Sequence, residues 1–260
     1  MKMLSMKTPN TIFRQFVERH EPALPILPAV HITWGTNVST IIDTNKLHLT
    51  WCKYYKKDLI YLFYGKPAYK LRRDASPTTR LLGDAAVCFV LNTNELPNMH
   101  RAFALDTGAA FGNRYNDHLP GKVSIDDFEM EAHCNSAAKL VSAFFGNNEK
   151  YVDGIVKSEI EISGLDVISD AYKAIATTVV STEFDERACT CELQYAVEIE
   201  LNKDSVRCIV MPHIMGGERW VQEKMSEWGV QPILYRFVLN QEKEQRLYLK
   251  NSSHIIKLMD

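Results

Sequence analysis

Two stretches limit the fold more than any others: DLIYLFYG (58–65) and AAVCFVLN (85–92). Read with the two-residue period of a strand, both are apolar on both faces, so neither can lie with one face in water. They are expected as interior strands, central to a sheet. The remaining pattern supplies partners. AVHITW (29–34) reads as a strand, GTN (35–37) as a turn, and VSTIIDTNKL (38–47) as a short amphipathic helix with Asn37 as its N-cap. The three prolines of EPALPILP (21–28) disfavour helix and suggest an extended lead-in from an N-terminal helix near 11–19. Helical spacing returns at 132–146, ending at Gly146, whereas 166–180 is mixed and stays unassigned. The last third reads as strands at 188–201, 206–214 and 233–239, with a helix at 218–229 closed by Gly229. Strands and helices do not alternate as regular βαβ units, and neither GxGxxG nor GxxxxGK[ST] occurs, which argues against a doubly wound nucleotide fold.

A chain of 260 residues that is 46% hydrophobic and 24% charged can bury a substantial core and is expected to form one domain, with 116–180 as an insertion or helical part. Its formal net charge of −2 provides no global basic field of the kind that marks a non-specific nucleic-acid binder, although a local patch stays open. Apolar runs fall short of the roughly 18 residues that span a bilayer. The first residues lack the apolar segment of a secretory signal. A cytoplasmic protein without a membrane partner is expected. Six cysteines, two of them on an inferred core face, fit buried reduced thiols better than a disulfide framework.

The late stretch RACTCELQYAVEIEL (187–201) places Cys189, Cys191, Leu193, Tyr195, Val197, Ile199 and Leu201 on one side of a strand, and Thr190, Glu192, Gln194, Ala196, Glu198 and Glu200 on the other. The first side is core. The second is either a solvated face or, in its first half, the wall of a cleft. His31 and Thr33 share a face of the first strand, and Tyr61 and Tyr64 stand on the second. No HExxH, close His/Cys cluster or GxSxG elbow is present, so zinc or nucleophilic hydrolysis has no local signature. A metal-dependent nuclease or hydrolase assembled by the fold from Asp106, His118, Asp126, Asp127 and His133 stays open, as does a binding module without turnover.

Four segments in order resemble a known family. HITWGTNVSTIIDTNKL (31–47), YLFYGKPAYKL (61–71), FALDTGAAFGNRY (103–115) and ACTCELQY (188–195) are together similar to the ADP-ribosyltransferases of the DarT type. The resemblance covers about 31–201. It implies an α+β chain with the ADP-ribosyltransferase fold, a split mixed or antiparallel sheet with flanking helices whose cleft binds NAD and needs no metal. On that resemblance His31, Thr33 and Asn37 line the NAD site, Tyr64 and Tyr69 wall in nicotinamide, Glu192 is the catalytic carboxylate, and Lys66 assists. Gln194, Arg187 and Arg72 become contacts to ribose or acceptor. Two departures stand out: Lys66 replaces a usual arginine, exchanging a two-pronged phosphate grip for a point charge, and Gly108 stands near where a histidine is common.

The chemistry implied by the resemblance explains a lone glutamate. Cleavage of NAD at its glycosidic bond gives an oxocarbenium-like ribose, which a carboxylate against the 2′-hydroxyl stabilises, while nicotinamide leaves without an acid because departure neutralises its ring. The attacking atom would belong to a nucleic-acid base in a toxin or antiviral-defence setting, with an antitoxin protein as a further partner. Lys53, Lys56, Lys57, Lys66, Lys70, Arg72, Arg73 and Arg80, interleaved with Tyr54, Tyr55, Tyr64 and Tyr69, would suit a single strand of DNA or RNA. The geometric expectation is that His31, Tyr64 and Glu192 converge on one concave pocket.

Overall fold

The computed structural model describes residues 11–68, 82–115, 119, 123–177 and 186–236. Its strands are β1 (Ala29–Trp34), β2 (Lys46–Leu47), β3 (Thr50–Cys52), β4 (Lys57–Tyr64), β5 (Ala86–Leu91), β6 (Arg101–Phe103), β7 (Glu129–Met130), β8 (Glu192–Tyr195), β9 (Ile199–Glu200), β10 (Val206–Pro212) and β11 (Pro232–Tyr235). Its α-helices are α1 (Thr11–Glu18), α2 (Gly35–Thr44), α3 (Thr107–Phe111), α4 (Cys134–Phe144), α5 (Asn148–Val152), α6 (Val167–Thr177), α7 (His213–Gly216) and α8 (Arg219–Trp228). The chain is α+β. One sheet runs β11-β10-β5-β1-β4-β8-β6-β7, with β3 on β4, and β2 pairs separately with β9. The sheet is mixed, since β10 and β11 are parallel while the other pairs are antiparallel.

The two apolar stretches are interior strands, β4 and β5, and every residue of β5 is buried. Their two faces meet different cover. On one face Phe89, Leu62, Leu193 and Tyr195 join the main core against α1, α4 and α6, where Phe13, Phe144 and Tyr172 pack edge to face or tilted with centroids 4.6–6.3 Å apart. On the other face Val30, Ala86, Cys88, Val210 and Tyr235 form a smaller cluster with Leu82 and Ile32 against it. All six cysteines are free thiols, five of them buried.

Several boundaries differ from the sequence expectation: the 38–47 helix ends at Thr44 with Lys46–Leu47 a strand, the 206–214 strand ends at Pro212 before α7, and two further differences have a clear local reason. Helix α2 begins at Gly35, so Asn37 is in its first turn and not its N-cap. Gly35 sits where a Cβ would come within 2.5 Å of the Leu82 carbonyl oxygen, and its N–H donates to Ala85 O at 2.8 Å, so the helix starts directly off the strand. The chain at 187–201 is also not one strand. β8 stops at Tyr195, Val197 is 49% exposed, and the chain turns to pair β9 with β2, fastened by Leu201 N–H to Asn45 O at 2.8 Å. The unassigned 166–180 stretch contains α6.

The feature that positions a site is a gap in the sheet. β1 and β4 are neighbours, yet they pair only at Ala29–Tyr64 and Val30–Phe63, whereas β1 pairs with β5 over its whole length. Beyond Val30 the two strands separate. β3 attaches further along the same edge of β4, at Leu59–Lys57, and a cavity lies between.

Candidate functional site

The cavity measures about 460 Å³ and is lined from β1 by His31, Thr33 and Trp34, from α2 by Asn37 and Thr40, from β4 by Tyr61 and Phe63, and at its outer end by His48 and Trp51. Because it follows a gap between strands, it collects side chains from both faces of the sheet. His31 and Thr33 lie on the face of the main core, opposite Phe89 and Val87, while Ile32, Trp34, Tyr61 and Phe63 belong to the other face.

His31 holds the gap at its narrow end. Its Nδ1 is 3.0 Å from Tyr61 O, and a carbonyl oxygen can only accept, so Nδ1 carries the proton. Burial lowers the imidazole below its ordinary range, with the Tyr61 bond acting weakly the other way. The ring is therefore neutral at neutral pH, and its Nε2 is a lone-pair acceptor. Asn37, in the first turn of α2, donates from Nδ2 to Thr33 Oγ1 at 3.0 Å, which ties the start of the helix to the cavity wall.

Glu192 is not in the open part of this cavity. It is 1% exposed, and Gln194 and Thr190 beside it are 0% exposed, so the solvated-face reading of this side of β8 does not hold. The register Phe63–Glu192–Phe103 places it behind Phe63, on the face that carries Tyr61. Three donors converge on the carboxylate: Thr107 N–H to Oε2 at 2.9 Å, Thr107 Oγ1 to Oε1 at 2.8 Å, and Gln194 Nε2 to Oε1 at 2.7 Å. Asp106, which caps α3 by accepting from Ala109 N–H at 2.8 Å, stands close by. Burial first, and the Asp106 carboxylate second, push Glu192 up to about 8 against these donors. Tyr55 completes the enclosure, its hydroxyl near Thr107 and Gln194 and its own titration raised by burial.

Other expected contacts do not assemble here. Tyr64 is fully buried on the main-core face, where its hydroxyl accepts from Leu27 N–H at 3.0 Å, so the expected convergence of His31, Tyr64 and Glu192 on one pocket does not occur. The aromatic side chains of β4 that wall the cavity are Tyr61 and Phe63. Lys66 is also 0% exposed. It donates to Tyr151 O at 2.9 Å and to Cys189 Sγ at 3.2 Å and lies over the Tyr151 ring, fastening α5 to the turn before β8. The reason is the positive φ of Gly65, +69°, which turns the chain inward against Leu27 after β4. Arg187 lies in the 3₁₀ turn Glu186–Cys189 that precedes β8. Tyr69 and Arg72 lie outside the described residues, as do Lys70, Arg73, Arg80 and His118.

The alternative metal set is dispersed in other duties. Asp106 caps α3, Asp127 accepts from Ser124 N–H in a capping box, Asp126 pairs with Arg101, and His133 caps α4 by accepting from Asn135 N–H. Among the described residues no group of three or more His, Cys, Asp or Glu is placed to hold a metal ion. Also among them, no helix is long and apolar enough to cross a membrane.

Sequence reasoning missed Asp106 and Thr107 as neighbours of Glu192, and His48 and Trp51 as cavity walls. The first pair carried a signal, an Asp-Thr-Gly run opening a short helix, which marks an N-cap facing whatever lies opposite it. Trp51, 62% exposed on a three-residue strand, carried none. In comparisons with known proteins, no family model, curated protein or solved structure matches this chain.

Proposed function

We propose that this chain is an ADP-ribosyltransferase that binds NAD in the gap between β1 and β4 and transfers ADP-ribose to a base of single-stranded nucleic acid. The observation that carries this reading is the separation of β1 from β4 directly after Val30–Phe63, which opens a cavity bounded by a neutral His31 with Glu192 one strand behind it. The split sheet of an ADP-ribosyltransferase would present a dinucleotide with such walls. His31 Nε2 would accept from a ribose hydroxyl, Thr33 and Asn37 would line the same end, and Tyr61 and Phe63 would flank nicotinamide.

Glu192 would face the ribose 2′-hydroxyl once Tyr61 or the Tyr55–Thr107 cover shifts. The cationic nicotinamide ribose favours the ionised carboxylate, which can then stabilise the oxocarbenium-like ribose. Gln194, already bonded to Glu192, would hold its orientation. The acceptor reading draws on exposed Lys53, Lys56 and Lys57 around the exposed rings of Trp51 and Tyr54, cations for phosphates and rings for bases. A toxin or defence role with a protein antitoxin belongs to the same proposal.

The complete burial of Glu192 favours a second reading, a module that binds NAD or another nucleotide without turnover. One experiment separates the two. Labelled NAD is incubated with the chain and with single-stranded oligonucleotides or lysate, and transfer to a macromolecule is measured. Transfer that disappears in Glu192→Gln supports the enzyme, whereas binding without transfer supports the module.

A further inference from the structure

The outer end of the cavity contains a hydrogen-bonded relay that the roles above do not use. Thr44, in the last turn of α2, His48, between β2 and β3, and Glu198, just before β9, are brought together by the pairing of β2 with β9. His48 Nδ1 is 3.0 Å from Glu198 Oε1, and His48 Nε2 is 2.8 Å from Thr44 Oγ1. Lys46 Nζ donates to the second oxygen of Glu198 at 3.1 Å. His48 itself lines the cavity, beside Thr40 and Trp51.

The protons in this relay can be assigned. The bonds from His48 and Lys46 hold the Glu198 carboxyl below its usual range, so it is ionised and can only accept. His48 Nδ1 must therefore be the donor to it. In the neutral ring Nε2 is then a lone pair, to which the Thr44 hydroxyl can donate only by turning its proton away from Thr40 O. Thr44 has a second acceptor within reach, Thr40 O at 2.7 Å. The hydroxyl has one proton for these two acceptors, and with that proton on Thr40 O the Nε2 lone pair is open to an incoming N–H or O–H without leaving Thr44 unsatisfied. This is the arrangement of a base held by a carboxylate.

We infer that His48 is the group that takes the proton from the acceptor in the ADP-ribosyl transfer proposed above, with Glu198 as its positioning residue. This inference rests on that reading. The other candidates are worse placed. Glu192 is enclosed by three donors, and His31 is bonded through Nδ1 to a carbonyl, which stabilises an imidazolium less than a carboxylate does. In the step, the bond between nicotinamide nitrogen and ribose C1′ breaks and its electron pair leaves with nicotinamide. The acceptor's lone pair forms the new bond to C1′, and its proton passes to His48 Nε2. The resulting imidazolium is stabilised by Glu198 and returns the proton to water.

The test uses the full chain, labelled NAD and a mixed-sequence single-stranded oligonucleotide, with transferred label and released nicotinamide measured separately. Water can capture the ribosyl cation when the acceptor cannot be deprotonated, so the ratio of transfer to release is the informative quantity. His48→Asn is expected to lower that ratio by about 100-fold, within the usual range for general-base catalysis. Glu198→Gln should lower it by about tenfold, with Glu198→Asp restoring most of it, which a merely structural carboxylate would not do. An unchanged ratio in His48→Asn, or transfer and release falling together, overturns the role of His48 while the transferase reading stands. A wild-type chain that neither transfers nor releases nicotinamide overturns both.

Discussion

Glu192→Gln should change the pH dependence of stability in a direction set by the structure. The side chain is 1% exposed, with burial and Asp106 raising its carboxyl from 4.5 to about 8. Between those values the folded state holds a proton that the unfolded chain has released. The group's contribution is therefore fully present below pH 4.5 and is lost as pH rises through 8. At about 1.4 kcal/mol per pH unit, the loss across the window is on the order of several kcal/mol. Glutamine cannot ionise, so the variant lacks this loss. At pH 5 the wild type should be the more stable by about 1–3 kcal/mol, because the amide nitrogen cannot accept from Thr107 N–H, whereas the hydroxyl oxygen of the acid can. With rising pH the difference should shrink by about 1.4 kcal/mol per unit and then reverse in sign. Urea unfolding of both proteins at pH 5, 6, 7 and 8 reads this, since the titrations of groups other than Glu192 and its neighbour Asp106 cancel in the difference. A difference that stays constant from pH 5 to 8 would refute the reasoning, because Glu192 would then be ionised in the folded protein throughout.

Three further outcomes follow from packing and placement. Gly35→Ala should destabilise by about 1–3 kcal/mol in urea unfolding, because the added methyl meets the Leu82 carbonyl at 2.5 Å as well as Met215, and a backbone oxygen cannot swing aside. Lys66→Met keeps the bulk but removes the buried bonds from Nζ to Tyr151 O and Cys189 Sγ, and should destabilise by about 1–3 kcal/mol in the same assay. A loss of activity at unchanged stability would instead place Lys66 in the chemistry. Trp51→Ala should leave stability within about 0.5 kcal/mol, since the ring is 62% exposed, while weakening binding of a single-stranded oligonucleotide in a fluorescence titration.

Much of the framework was legible because it depends on local rules. An apolar run on both faces has to be interior, which identified β4 and β5, and a glycine at a helix end marks a left-handed cap, as Gly229 does with φ +67°. The site was less legible. Alternation along 187–201 correctly separated Glu192 and Gln194 from Cys191 and Leu193. It could not tell that α3 and Tyr55 would cover the first pair, because Thr107 is 85 positions away in sequence and Tyr55 further still. Tyr64 and Lys66 were expected at the ligand because of their order in the chain, but the register of β4 and the turn at Gly65 direct both into the main core.

By itself, then, the sequence determined that 58–65 and 85–92 are interior strands, where helices such as α4 and α8 lie, and that Glu192 and Gln194 share the side of their strand opposite Cys191 and Leu193. These follow from periodicity and chain stereochemistry, which act over a few residues. The tertiary structure alone decided that β1 separates from β4, that Glu192 is a buried acid with a raised pKa, and that His48 meets Glu198 across 150 residues. Those outcomes depend on strand register and on what packs over each face, and both are set by the whole core.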